Sequence, residues 1–140
     1  MPRGRREAIS WLATLTTRGL GASLLVRGAV DRPVFEAFVE RVLVPSLQPG
    51  QIVVLDNLSV HKSARAKALI QAAGCYLVFL PTYSPDLNPI EPAFAKTKQA
   101  LRRVGARSFE AVVPAVTMAL PLITVTDAQV FFADAGFPMR

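Results

Sequence analysis

The sequence predicts one mixed α/β domain, in which a β-hairpin is followed by alternating helices and strands. Three observations support this fold class. The chain has 140 residues with a hydrophobic content of 51%, which is enough to form one buried core. Short apolar runs typical of strands alternate with stretches of helical periodicity, in the order β-β-α-β-α-β-α-α. No internal repeat, low-complexity segment or linker divides residues 1–140, so a single domain is predicted.

The N-terminal part predicts a hairpin and one helix. Strands at 8–16 and 22–30 flank a turn that contains glycine, at 18–21. Asp31 can cap the following helix, because its carboxylate can accept hydrogen bonds from first-turn N–H groups. Apolar residues recur there at helical spacing: Phe35, Phe38 and Val42. Pro45 and Pro49-Gly50 are expected to end this helix, since proline has no N–H to donate.

The middle of the chain predicts a strand–helix–strand unit. The continuous apolar run 52–55 is typical of a strand buried on both faces. Ser63 can cap a helix over 64–73, and Gly74 can end it. The next strand is predicted at 75–80. Because a helix separates the two strands, they are expected to run parallel.

The last part of the chain predicts three helices. From Pro89 onward one face is apolar, with Ile90, Phe94, Thr97 and Leu101. A neighbouring face carries charged residues, namely Glu91, Lys98 and Arg102. A further helix at 109–120 is expected to bend or break around Pro114 and Pro121, and a final helix is predicted at 127–135.

Composition narrows the class of protein. A formal charge of +6 and a pI near 10.3 favour a polyanionic partner, nucleic acid first, although a merely basic protein has the same charge. Cys75 is the only cysteine, so an internal disulfide and a zinc cluster are excluded. The N-terminus lacks a continuous apolar signal region, and 112–125 is too short to span a membrane. We therefore expect a cytoplasmic protein with no membrane partner.

Two carboxylates stand at the ends of predicted elements. Asp56 follows the strand 52–55, and Glu91 opens a helix, with 34 residues between them. A crossover of that length can bring both acids to one end of a sheet, where oxygen ligands could bind a hard divalent cation.

Purely local structure could also account for each of these residues. Asp56 could form a side-chain turn. Glu91 could close a capping box, with Asn88 as the N-cap and Pro89 as the first helical residue. The single histidine, His61, could support the site or be purely structural. Asp86 is either an alternative ligand or a turn residue.

Two segments, read together, resemble the catalytic domain of DDE transposases of the mariner-like superfamily, in particular its bacterial insertion-sequence branch. They are IVVLDNLSVHK at 52–62 and FLPTYSPDLNPIE at 79–91. Their spacing also matches that family, and a looser resemblance covers 3–137. The resemblance implies a ribonuclease-H-like fold, in which a mixed sheet is flanked by helices.

The resemblance also implies a site and its partners. Asp56 looks like the second metal-binding acid and Glu91 like the third, with two Mg²⁺ or Mn²⁺ ions in the complete enzyme. Supporting residues would be Asn57, His61 and Asn88. Residues that could contact nucleic acid are Lys62, Lys96, Lys98, Arg102 and Arg103. A complete enzyme, expected to be a homo-oligomer, would cut transposon ends and join them to target DNA.

The chain departs from the family pattern at its beginning. The first catalytic Asp of the family lies on a central strand before the hairpin, and neither Glu7 nor Asp31 matches that position. The upstream helix-turn-helix region is not matched either, and Phe94 stands where the family often has Trp. We expect a truncated, inactive catalytic domain that lacks its first, central strand. Four alternatives stay open. They are half of a split transposase completed by an upstream polypeptide or by frameshifting, an inactive truncated remnant or DNA-binding fragment, an unrelated α/β binding protein, and a misassigned start codon.

Overall fold

The computed structural model describes residues 9–82 and 84–137, and in them two small sheets are flanked by helices. Strands β1 (Ile9–Thr16) and β2 (Gly19–Arg27) form an antiparallel hairpin. Strands β3 (Ile52–Leu55) and β4 (Tyr76–Phe79) form a parallel pair. The predicted mixed α/β class and the parallel direction of the second pair are confirmed.

The hairpin is tighter than predicted. Thr16 pairs with Gly19, so that only two residues form the turn, and β2 begins three residues before the predicted position. The predicted start of the first strand at residue 8 lies outside the described residues. Gly19 makes this turn possible, since its φ of +124° is rarely adopted by residues with a side chain. A Cβ on Gly19 would also lie only 2.9 Å from the backbone oxygen of Ile123.

We expect Gly19→Ala to lower the free energy of unfolding by more than about 2 kcal/mol, because strain in φ adds to a clash with backbone. Gly28→Ala is the matched control: Gly28 has a φ of +89° but nothing within 4 Å of an added Cβ. In the control, backbone strain alone should lower the free energy of unfolding, by about 1 kcal/mol. Urea unfolding measures both variants, and equal losses would contradict the proposed clash.

The first helical segment consists of three consecutive parts. Helix α1 (Arg32–Phe38) is capped by Asp31, whose carboxylate accepts from the Val34 N–H at 3.0 Å, as expected. The chain then continues through a π-helical turn (Val39–Leu43) into the short α2 (Val44–Ser46). The helical stretch ends at Ser46, before Pro49-Gly50 as predicted, and Pro45 is accommodated within its last segment. Pro45 stands in the first turn of α2, where a missing N–H costs little.

Helix α3 (Ala64–Ala72) begins where predicted and ends one residue before the predicted position, 73. The Ser63 hydroxyl accepts from the Ala66 N–H at 3.1 Å and donates to the Glu36 carboxylate. Gly74, at φ +81°, reverses the chain toward β4. The crossover from β3 through α3 to β4 therefore delivers both strand ends to the same edge.

Three helices follow: α4 (Ile90–Val104), α5 (Phe109–Ala119) and α6 (Val125–Asp134). Pro114 lies inside α5, and the predicted break is found around Pro121, in a 3₁₀ turn at Leu120–Leu122. The final helix starts two residues earlier than predicted, because Thr124 and Asp127 form a capping box. In the part of the chain that is described, no single helix could cross a membrane; α5 with its 3₁₀ turn and α6 pass only as a pair bent by 79°.

The core lies between α1, α3 and the β3–β4 pair. Its fully buried side chains include Phe35, Val39 and Ile70. Within the described residues no hydrogen-bonded ladder joins the hairpin to the β3–β4 pair. A cavity of about 470 Å³ lies between β1 and β3 and is lined by both strands. The two sheets thus meet through a groove among the described residues.

Candidate metal and nucleic-acid site

Asp56 is held at the carboxyl end of β3 by hydrogen bonds on both sides. Its carboxylate accepts from the Asn88 side-chain amide at 2.5 Å. The Nδ1 of His61 lies 3.1 Å from the Asp56 backbone oxygen, so it donates there when it carries the proton. Asp56 is half-buried. Its carboxylate is therefore oriented from a loop 32 residues away in sequence.

The start of α4 differs from the predicted capping box. The helix begins at Ile90, and the Asn88 side-chain oxygen accepts from the Ile90 N–H at 3.2 Å. Pro89, in helical conformation, is the residue before the helix. Among the described residues the Glu91 carboxylate has no hydrogen bond and no ion pair, and Glu91 is exposed. Capping therefore does not explain Glu91.

Both acids line the cavity between β1 and β3. Asn88 connects them, since it binds Asp56 and its backbone oxygen accepts from the Glu91 N–H at 3.2 Å. The opposite wall is largely apolar and includes Trp11, whose indole N–H is buried without a partner in the described residues. The Asn88–Asp56 hydrogen bond thus brings the loop before α4 to the carboxyl end of β3. The joint binding of metal by the two acids stays a prediction.

Two neighbours of Asp56 shape the same end of β3. The Asn57 side-chain amide donates to the Thr82 hydroxyl at 2.8 Å, while its oxygen is buried without a partner in the described ranges. The His61 ring packs on the Phe35 ring with centroids 4.7 Å apart. His61 therefore positions the backbone of Asp56 from a packed, half-buried setting.

The donor chemistry suits a hard divalent cation, since carboxylate and amide oxygens are the ligands that Mg²⁺ and Mn²⁺ take. Within residues 9–82 and 84–137, however, no three His, Cys, Asp or Glu side chains form a metal-binding group. Asp31 is engaged as a helix cap. Asp86 is exposed in a 3₁₀ turn and does not line the cavity. Glu7 lies outside the described residues.

Residues 1–112 match a family described as DDE superfamily endonuclease. The chain belongs to this family. No curated protein matches it. The structure is similar to the crystal structure of the Mos1 strand transfer complex, with a TM-score of 0.71 and 18% identity over 96% of this chain. It is also similar to the catalytic domain of Mos1 mariner transposase, with a TM-score of 0.59 and 15% identity.

These matches fix the fold of the DDE chain as ribonuclease-H-like. The chain spans 41% of the length of the chain in the strand transfer complex and 82% of the Mos1 catalytic domain. At such identities the likeness concerns the fold alone, and the insertion-sequence branch stays a prediction.

The basic residues predicted to contact nucleic acid have different surroundings in this DDE chain. Lys96 donates to Asp127 at 2.7 Å, and this hydrogen bond holds the pKa of the Asp127 carboxyl below its usual value. Lys62 and Arg103 are exposed. Lys98 lies 5.9 Å from the centre of the Phe94 ring, and Phe94 in turn packs on Trp11 with centroids 4.9 Å apart.

The sequence analysis did not single out two residues at the site, Thr82 and Trp11, or one residue outside it, Arg107. Thr82 binds Asn57, and Trp11 lines the cavity. Arg107 lines a separate cleft with Lys98 and Arg102. Trp11 could have been singled out because it is the only tryptophan of the chain. Nothing in the local sequence distinguishes Thr82.

Proposed function

We propose that this chain supplies two metal-binding carboxylates, Asp56 and Glu91, to an enzyme that cuts DNA strands and joins them to a target. Membership of the DDE endonuclease family gives the reaction class. The observation that carries the assignment is that both acids line one cavity and are connected by Asn88. Two ions, Mg²⁺ or Mn²⁺, would be held there.

The reaction is an in-line displacement at phosphorus. A water oxygen forms a bond to phosphorus, the bond to the 3′-oxygen breaks, and that oxygen leaves with a proton as a 3′-hydroxyl. In strand transfer the freed hydroxyl attacks a target phosphodiester in the same way. Bound divalent ions would supply charge stabilisation in both displacements. Asn88 and His61 keep Asp56 in place, and Lys98 and Arg102 attract phosphates.

Two carboxylates provide too few oxygen ligands for two divalent ions. We infer that a third oxygen ligand comes from an extended segment seated between β1 and β3, on an upstream polypeptide. Support comes from the groove itself: both strands line it, and the Trp11 N–H has no acceptor among the described residues. A strand placed there could pair with both edges, since neighbouring strands lie about 4.8 Å apart.

Nicking of supercoiled DNA tests the proposal. We expect the 140-residue chain alone to leave the DNA intact with Mg²⁺ or Mn²⁺. Adding a family-type strand with its Asp, fused to the chain or in trans, should produce nicks that depend on the metal. The control is the same strand with Asn in place of its Asp.

Two outcomes would change the assignment. Nicking by the chain alone that disappears in Asp56→Ala would mean that the third ligand lies within this chain, and Glu7 and Asp31 would be the acids to replace. DNA binding without nicking in every form would favour the second candidate, an inactive DNA-binding remnant. The charge of +6 and the two-acid site are the observations behind that candidate.

Two variants of Asn88 distinguish its contact with the first turn of α4 from its contact with the Asp56 carboxylate. We expect Asn88→Ala to weaken Mn²⁺ binding about 10- to 100-fold, the usual loss for a residue that orients a ligand. Asn88→Asp keeps an acceptor for the Ile90 N–H but places a second carboxylate against Asp56. Calorimetric titration with Mn²⁺ compares the two variants. If both bind Mn²⁺ as wild type does, Asn88 does not orient the site.

A further inference from the structure

The outer surface of α5 and α6 carries large apolar side chains that are exposed to solvent. They are Val113, Met118, Leu122, Val125 and Val130, and Met118 is 79% exposed. We call them the α5–α6 face. Met118, Leu122 and Val125 follow one another across the 3₁₀ turn that joins the two helices. Single exposed apolar residues are common on folded proteins, whereas a group of them close together marks a contact surface.

The α5–α6 face is also free of charge. Asp127 is the only charged residue in 111–133, and its carboxylate binds Lys96 at 2.7 Å. Exposed positions beside the apolar residues hold uncharged side chains such as Thr126 and Gln129. The whole protein, in contrast, has a formal charge of +6. This surface therefore has no cations that would attract a polyanion and no charge that would oppose contact with another copy of the chain.

Packing within the chain does not explain these side chains. The positions of α5 and α6 that turn inward are buried, among them Val116, Ala119 and Ala128. A surface helix of a soluble protein usually carries polar residues on the opposite side, because that side stays in water. Membership of the DDE endonuclease family does not explain them either, because the residues that match the family are 1–112. The α5–α6 face therefore calls for a separate role.

We propose that the α5–α6 face binds the α5–α6 face of a second copy of this chain, across a twofold axis. A twofold axis brings each surface against itself, so a basic surface would meet a basic surface there. The α5–α6 face has no charge and is complementary to itself. Two copies with a charge of +6 each repel one another, and they come together at the lowest electrostatic cost through a surface without charge.

A lipid membrane is the other apolar partner, and the residue types of the two helices disfavour it. Helices that lie in a membrane surface combine their apolar face with Lys or Arg and with Trp or Phe. The exposed positions of α5 and α6 contain none of these four residue types. A second copy of the chain is therefore the better match for this face.

The size of the α5–α6 face predicts a weak dimer. At about 1.5 Å per residue α5 and α6 are about 16 and 15 Å long, and a helix is about 10 Å wide. One face therefore covers roughly 300 Å² in projection, well below the ~800 Å² that each partner buries in a complex of standard size. We expect a dimer that forms and dissociates as the protein concentration changes.

Sedimentation velocity of the 140-residue chain, in EDTA and without DNA, tests the proposal. The protein concentration is varied at about 0.1 M and about 1 M salt, where the Debye length is about 10 and 3 Å. The dimer should be tighter at the higher salt, because salt screens the repulsion between the copies and leaves the apolar contacts intact. Neither the metal site nor the reaction enters this measurement, so its result is independent of the proposed function.

Three variants locate the contact. Met118→Lys brings a cation into the interface from each copy, so it should raise the dissociation constant of the dimer at least about 10-fold. Met118→Leu keeps an apolar side chain and should dimerise as wild type does. Tyr76→Lys is the matched control: it adds the same charge at a residue of β4 that is 65% exposed and lies outside the α5–α6 face. Its dissociation constant should stay close to that of wild type. Circular dichroism checks that each variant is folded, as expected for substitutions at exposed positions.

Four results would overturn the proposal. The first is a wild-type chain that stays monomeric at every protein concentration and at both salt concentrations. The second is an equal loss of association in Met118→Lys and Tyr76→Lys, which would show non-specific contact through exposed apolar residues. The third is a dimer that weakens at the higher salt, as ion pairs do. The fourth is binding to vesicles of neutral phosphatidylcholine that is lost in Met118→Lys, which would assign the face to a membrane.

Discussion

Replacing Asp56 by asparagine is expected to reduce metal-dependent nicking at least 100- to 1000-fold in the complemented form of the chain. Asparagine keeps the shape of the side chain and an oxygen that can accept from Asn88. The substitution removes the negative charge that would hold a divalent ion. Several kcal/mol of charge stabilisation correspond to that factor, since each 1.36 kcal/mol changes the rate about tenfold.

Asp86→Asn is the matched control for this substitution. Asp86 belongs to the loop that leads to α4, but it is exposed and does not line the cavity. Its variant should nick DNA and bind Mn²⁺ as wild type does. Glu91→Gln should behave like Asp56→Asn. The assignment of Asp56 as a metal ligand is contradicted if Asp56→Asn keeps full activity and Mn²⁺ affinity, or if Asp86→Asn loses them.

Local signals in the sequence predicted those elements whose ends are fixed by one or two residues. The Asp31 cap, the Ser63 cap and the Gly74 stop are observed where they were expected. Each of these works through backbone groups within a few residues, so the local sequence contains the whole interaction.

Prolines predicted helix ends less well, because the effect of a proline depends on its position relative to the preceding helical turn. Pro45 is accommodated in the short helical segment after a π-helical turn, and the helix ends at Ser46, before Pro49-Gly50. Pro114 is accommodated inside α5. Every proline lacks a backbone N–H. Whether the helix loses a hydrogen bond as a result depends on the geometry of the turn before the proline.

At the site, too, the sequence predicted one part of the arrangement and not another. Spacing predicted that Asp56 and Glu91 would meet at one end of the strands, and they line one cavity. The local motif also predicted a capping box for Glu91, which is not formed. Asn88 instead directs its amide to Asp56, 32 residues away. Likewise, Arg107 joins Lys98 and Arg102 only because the chain reverses at Gly105. Such tertiary contacts cannot be derived from a local pattern.

Phe35→Ala is expected to lower the free energy of unfolding by about 3–5 kcal/mol, the usual cost of removing a buried ring and leaving a cavity. Phe35 is only 2% exposed, and it supports the His61 ring that contacts the Asp56 backbone. Because a domain has about 5–15 kcal/mol of stability in total, much of the chain could unfold. Met118→Ala is the control: Met118 is 79% exposed, so it should change the stability by no more than about 0.5 kcal/mol. Urea unfolding followed by circular dichroism compares them. A loss below about 1 kcal/mol for Phe35→Ala would contradict the position of Phe35 in the core and its support of the site.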